Sequence, residues 1–110
     1  MTTKAELRER STNIIVETID ETLEFFFGKA ATVKVYDCLK KRFMLERNEI
    51  PNEAKIFSQF LSAIFGSASS QIELRIIKNL CCKSGLEFDP NSPFDFVDCV
   101  AAYKAVVKYE

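Results

Sequence analysis

Apolar side chains recur three and four residues apart along almost the whole chain, in blocks separated by three isolated glycines and by two stretches that hold the prolines. That spacing turns one side of a helix inward and leaves the other wet. It predicts an all-α, single-domain bundle of about five helices, near residues 3–27, 29–44, 52–65, 67–84 and 93–108, with no strand. The first gathers Ile15, Ile19, Leu23, Phe26 and Phe27 after a charge-alternating start, KAELRER, and residues 1–12 read as solvated or frayed. Phe25, Phe26 and Phe27 together span about 200° of a helix, more than one inward stripe covers. One ring is therefore expected at a contact, either under a neighbouring helix or at a subunit or partner interface. Val33, Val35, Tyr36, Leu39 and Phe43 mark the second helix, opposite a hydrated face of Lys34, Asp37, Lys40, Lys41 and Arg42.

The connection over residues 44–52 holds Pro51, offers Asn52 as a helix cap and supplies Ile50 as a plug for the core. Phe57, Phe60, Leu61, Ile64 and Phe65 then form a face that stops at Gly66, where a residue without Cβ ends a helix at little cost. Ser67 or Ser69 can cap the next helix, whose inward stripe is Ile72 or Ile76, Ile77, Leu80 and Cys81. Residues 61–85 thus read as a helical corner that fixes how two elements cross. Ser92 and Pro93, followed by Asp95, give the last helix its start, with Phe94, Val97, Val100, Ala101 and Val107 as its face. Setting residues 23–40 against 61–78 pairs Leu23 with Leu61, Phe27 with Phe65, Gly28 with Gly66 and Ala30 with Ala68. An old duplication accounts for this match, and so do two unrelated helical hairpins sharing a turn chemistry. Either arrangement packs as a bundle.

At 110 residues and a net charge of −1, the chain is long enough to bury one core without staples and has no general electrostatic pull toward nucleic acid or anionic membrane. No stretch approaches the roughly 18 apolar residues of a membrane span. The four cysteines, with no apolar leader at the amino end, point to a reducing cytoplasm.

Histidine is absent, which removes the commonest general base and the commonest metal ligand together. The isolated glycines form no phosphate-cradling loop. Asp20 with Glu24, and Asp95 with Asp98, follow helical spacing, but acidic neighbours are ordinary on exposed helices. Cys38, Cys81 and Cys99 read as small core residues and Cys82 as partly exposed, none in a metal or dithiol spacing. No enzyme, cofactor or metal is expected. One sharper pattern remains: a helix, a glycine turn and a second helix whose outward residues Gln71, Arg75, Lys78 and Asn79 suit base edges or phosphates, as in a helix-turn-helix.

Ile50-Pro51, Phe57, Leu61, Ile64-Phe65-Gly66, Ala68, Ile76-Ile77-Lys78, Leu80 and Gly85-Leu86 together give residues 18–88 a resemblance to a small all-helical family of archaeal proteins, the nitrosopumilus output domains. Members carry a second small residue just after the Phe-Gly step, where Ser67-Ala68-Ser69 stands here, and a tyrosine where Cys81-Cys82 stands. The resemblance implies a signalling output module in an archaeal cytoplasm and carries no catalytic residue across. The resulting expectation is a non-catalytic module that binds a protein partner or itself, with Phe25, Phe26, Phe27, Phe94 and Phe96 as contact residues. DNA binding through Gln71, Arg75, Lys78 and Asn79 is the alternative.

Overall fold

The computed structural model describes residues 4–85 and 95–108, with the side chains of residues 12–85 and 95–104. Every regular element among them is helical: α1 (Lys4–Phe43), α2 (Ala54–Phe65), α3 (Ser69–Ser84) and α4 (Phe96–Lys108), with 3-10 turns at Arg47–Asn52 and Gly66–Ala68. Four helices stand where five were expected, because the first two run together through Gly28 as one element. A break is nonetheless present in its backbone, since Gly28 has φ 82° and ψ 168°. Essentially only glycine adopts that region. Two residues sixteen apart on a straight helix lie about 24 Å apart, yet the Tyr36 hydroxyl donates to Asp20 Oδ1 at 2.5 Å. The helix therefore folds back on itself at the glycine.

The first half of α1 runs antiparallel to α3. Lys83 Nζ pairs with Glu21 Oε2 at 2.9 Å, Asn79 Nδ2 donates to Thr22 Oγ1 at 3.1 Å, and the Arg75 guanidinium sits 4.6 Å from the centre of the Phe25 ring. Partners descend along α3 as they climb along α1. The chain then turns from α2 into α3 through Gly66–Ala68, and Ser58 Oγ donates to Glu73 Oε1 at 2.6 Å across that corner. α4 closes the bundle: Phe96 meets Phe57 at 5.8 Å between ring centres, and Lys104 Nζ donates to Pro51 O at 3.2 Å and Asn52 Oδ1 at 2.9 Å. The buried side chains form one cluster, in which Ile15, Ile19 and Leu23 of α1 meet Phe57, Phe60 and Leu61 of α2, Ile72, Ile76 and Leu80 of α3, and Phe96 and Val100 of α4. Ile50 plugs it from the 3-10 turn, as expected.

Three sequence expectations need correcting. The inward face of α4 is Phe96, Cys99, Val100 and Tyr103, while Ala101 is exposed. Val100 belongs to this face as expected and Val97 packs half-buried at its edge, while Phe96 and Tyr103 supply the wide rings that fill the core. The described part of α4 begins at Phe96, capped by Asp95, whose Oδ1 accepts from the Asp98 N–H at 2.8 Å. Ser92, Pro93 and Phe94 lie outside the described residues. No serine caps α3, because the 3-10 turn feeds its last residue, Ala68, directly into the helix with helical dihedrals. Asn52 likewise caps nothing and instead accepts from Lys104. The repeat is not confirmed: the chain passes from the kink at Gly28 straight into further α-helix, whereas Gly66, at φ 57° and ψ −129°, opens a 3-10 turn.

Three threonines lie in the interior of the helices, and each satisfies itself locally. Thr18, Thr22 and Thr32 donate to the carbonyls of Ile14, Thr18 and Gly28, at 2.6, 2.7 and 2.8 Å. Such back-bonding uses the donor of a buried hydroxyl within its own helix, and Thr22 Oγ1 in addition accepts from Asn79 of α3.

Candidate interaction surface

The last turn of α1 before Gly28 carries three phenylalanines in succession, and the bundle covers none of them fully. Phe25 is 66% exposed, Phe26 40% and Phe27 37%, where the sequence pattern led us to expect one ring outside the core stripe. The rings are continuous with one another: Phe25 lies edge-on to Phe26 at 5.3 Å, Phe26 is 6.0 Å from Phe27, and Phe27 stacks on Phe65 at 4.9 Å with the planes 10° apart. Phe27 and Phe65 each precede a corner glycine, so the two corners meet through their last aromatic residues. Ile64, which precedes Phe65 on α2, is 37% exposed. Helical amphipathicity carries Ile15, Ile19 and Leu23 into the core, whereas one turn further on the rings are covered only in part, by Phe65 of α2 and Arg75 of α3.

Phe96 does not belong to this surface. It is 1% exposed and packs on Phe57 within the core, because α4 turns that residue inward. Phe94, the other candidate in the last helix, falls outside the described residues.

The four residues suited to nucleic acid all lie on α3 but differ in exposure. Gln71 and Lys78 are exposed, but Asn79 is half-buried and donates to Thr22, and Arg75 is half-buried over Phe25. Arg75 Nε is shielded from solvent and has no hydrogen-bond partner. Glu73 lies between these positions in sequence, its carboxyl raised above the ordinary range by burial, with the Ser58 hydrogen bond opposing and the Asp95 charge adding. Sequence reasoning missed the cation over the ring, since Arg75 and Phe25 are far apart along the chain.

Other polar clusters have structural explanations. Asp20 accepts from the Tyr36 hydroxyl and from Arg47, whose Nε lies 2.9 Å from Oδ1 and whose terminal nitrogen pairs with Oδ2. Burial, followed by that hydrogen bond, pushes the Tyr36 phenol well above its usual range. The triad clasps the two halves of α1 to the 3-10 turn, leaving a carboxylate and a phenol already committed to each other. Val33, Tyr36, Asp37, Lys40, Glu46 and Arg47 line an open groove of about 290 Å³ beside it. Among the described residues, no group of three His, Cys, Asp or Glu side chains is placed to share a metal ion, and no helix is long and apolar enough to cross a membrane.

The four thiols are free, with Cys82 exposed and Cys99 buried. Burial, then the neighbouring Cys81, pushes the Cys99 thiol up to about 11. Alkylation of the native protein at about pH 8 should therefore label Cys82 first and spare Cys99, which should react only in denaturant or as the pH approaches 11. Rapid labelling of native Cys99 at the lower pH would contradict this placement. Because the folded value lies above the unfolded thiol's 9.0, the stability linked to neutral Cys99 is complete below about pH 9 and is lost as the pH rises through about 11.

The described residues define an all-α helical bundle with an aromatic ladder on its surface. Compared with known protein families, with curated proteins and with solved structures, the chain matches none.

Proposed function

We propose that this chain is a non-catalytic interaction module of the cytoplasm, binding a protein partner through the aromatic ladder at the Gly28 end of the bundle. One observation carries the reading: three successive phenylalanines remain 37–66% exposed while α1 buries its large apolar side chains from Ile15 to Leu23. Full burial of such a side chain is worth roughly 1.5–3 kcal/mol. That gain is unrealised at these rings until a second surface covers them. The resemblance to archaeal output domains is consistent with this role, as a domain that passes a signal by contact. DNA binding has less support, because Asn79 is engaged with Thr22 within the bundle and the chain carries a net charge of −1.

The test compares the wild type with a Phe25→Ser, Phe26→Ser double variant of unchanged circular dichroism. Proteins retained from source lysate by the first and released by the second are the expected result. Retention of the same set by both, at equal yield, would remove the aromatic ladder from the function. Separately, duplex DNA affinity with a steep salt dependence that Arg75→Ala and Lys78→Ala abolish would favour the alternative.

A further inference from the structure

We infer that the partner presents a carboxylate beside its apolar anchors, so that an acidic side chain meets Arg75 while its neighbours cover Phe25 and Phe26. The inference rests on the reading just given and adds the chemistry of the occupant. Arg75 is placed at the edge of the ladder, with its guanidinium carbon 4.6 Å from the centre of the Phe25 ring. No hydrogen bond from the guanidinium to another described residue accompanies that contact. Nε is closed off from solvent, so an incoming carboxylate meets the guanidinium through its terminal nitrogens, and none of the ion pairs among the described residues uses Arg75. Guanidinium groups bind carboxylates through two parallel hydrogen bonds. Arginine and aromatic residues are also the types that carry most of the energy at protein interfaces.

Charge around the rings selects among possible occupants. Lys29 follows Gly28, Lys78 lies one turn along α3 from Arg75, and both are exposed. The acid nearest in sequence to the ladder, Glu24, is half-buried, and the next, Glu21, is already paired with Lys83. Arg75, Lys29 and Lys78 thus outnumber Glu24, and the balance of charge favours a negative partner. A second copy of the chain suits that balance less well, because a twofold contact sets one such cluster against another. A single nucleic-acid strand also stacks on exposed rings, but it needs a continuous basic track along its phosphates. Arg75, Lys29 and Lys78 form only a short one.

The probe is a random dodecapeptide library displayed on phage and selected against the wild-type domain. Expected enrichment combines Phe, Leu or Trp anchors with Asp or Glu at a fixed offset, and disappears with the Phe25→Ser, Phe26→Ser variant. In a peptide synthesised from the enriched consensus, replacing the acid with its amide should weaken binding about tenfold to wild type and hardly at all to Arg75→Gln. The peptide replacement reads out the charge even where the protein variant is unstable, and Arg75→Lys tests the two-pronged geometry. Enrichment that needs the phenylalanines but ignores the acid overturns this inference alone. So does poly-dT binding, or a concentration-dependent dimer, when either is lost on Phe26→Ser. No enrichment, or enrichment indifferent to both phenylalanines, overturns the interaction reading with it.

Discussion

Phe57→Ala is expected to lower the unfolding free energy by roughly 3–5 kcal/mol, read from the urea midpoint at unchanged slope. The ring is fully buried and lies 6.3 Å from Phe60 and 5.8 Å from Phe96, so its removal empties the place where α2 meets α4. Two terms add: the lost transfer free energy of the ring, and a cavity that rigid neighbours only partly fill. Small domains have about 5–15 kcal/mol in all, so the variant should be close to unfolded under mild denaturant. Phe25→Ala supplies the contrast. Its ring is 66% exposed, and the same deletion should cost well under about 1 kcal/mol. Equal losses at the two positions would mean that the core has been placed wrongly.

Gly28→Val should also be costly, for a different physical reason. A Cβ built at Gly28 meets nothing within 4 Å, so no clash opposes a larger side chain. What opposes it is the backbone, held at φ 82° and ψ 168°. Strain of this kind costs on the order of 1–3 kcal/mol. Because the cost lies in the dihedrals, Gly28→Ala should lose nearly as much as Gly28→Val. A loss that grew steeply with side-chain size would instead point to crowding, and no loss at all would mean that α1 does not fold back there.

Much of this arrangement was legible in the sequence, and the parts that were not share a cause. The faces of α2 and α3 follow from periodicity, because Phe57, Phe60 and Leu61, then Ile72, Ile76, Ile77 and Leu80, are strongly apolar at helical spacing. Gly28 and Gly66 were readable as interruptions, but not the angle at which the chain leaves them. The register of α4 escaped because Cys99 and Tyr103 give a weaker apolar signal than the valines around them. Val33, counted toward a core face, is 64% exposed, since the inward face of the second half of α1 runs through Thr32, Val35, Tyr36 and Leu39 and leaves Val33 off it. The aromatic triplet was visible as an excess of rings over available core. Its links to Phe65 and Arg75 were not, because they join segments that only the folded chain brings together.

The reversal at Gly28 has a consequence for how copies of the chain can entangle. Straightened at that one residue, α1 becomes a rod of about 60 Å, and its amino-terminal half leaves the α3 groove vacant. A second chain opened in the same way fills that groove and lends its own in return, an exchange that conserves every contact except the hinge. Substitutions that favour an unbroken helix at position 28 should accordingly convert monomers into interlocked pairs during refolding at high concentration.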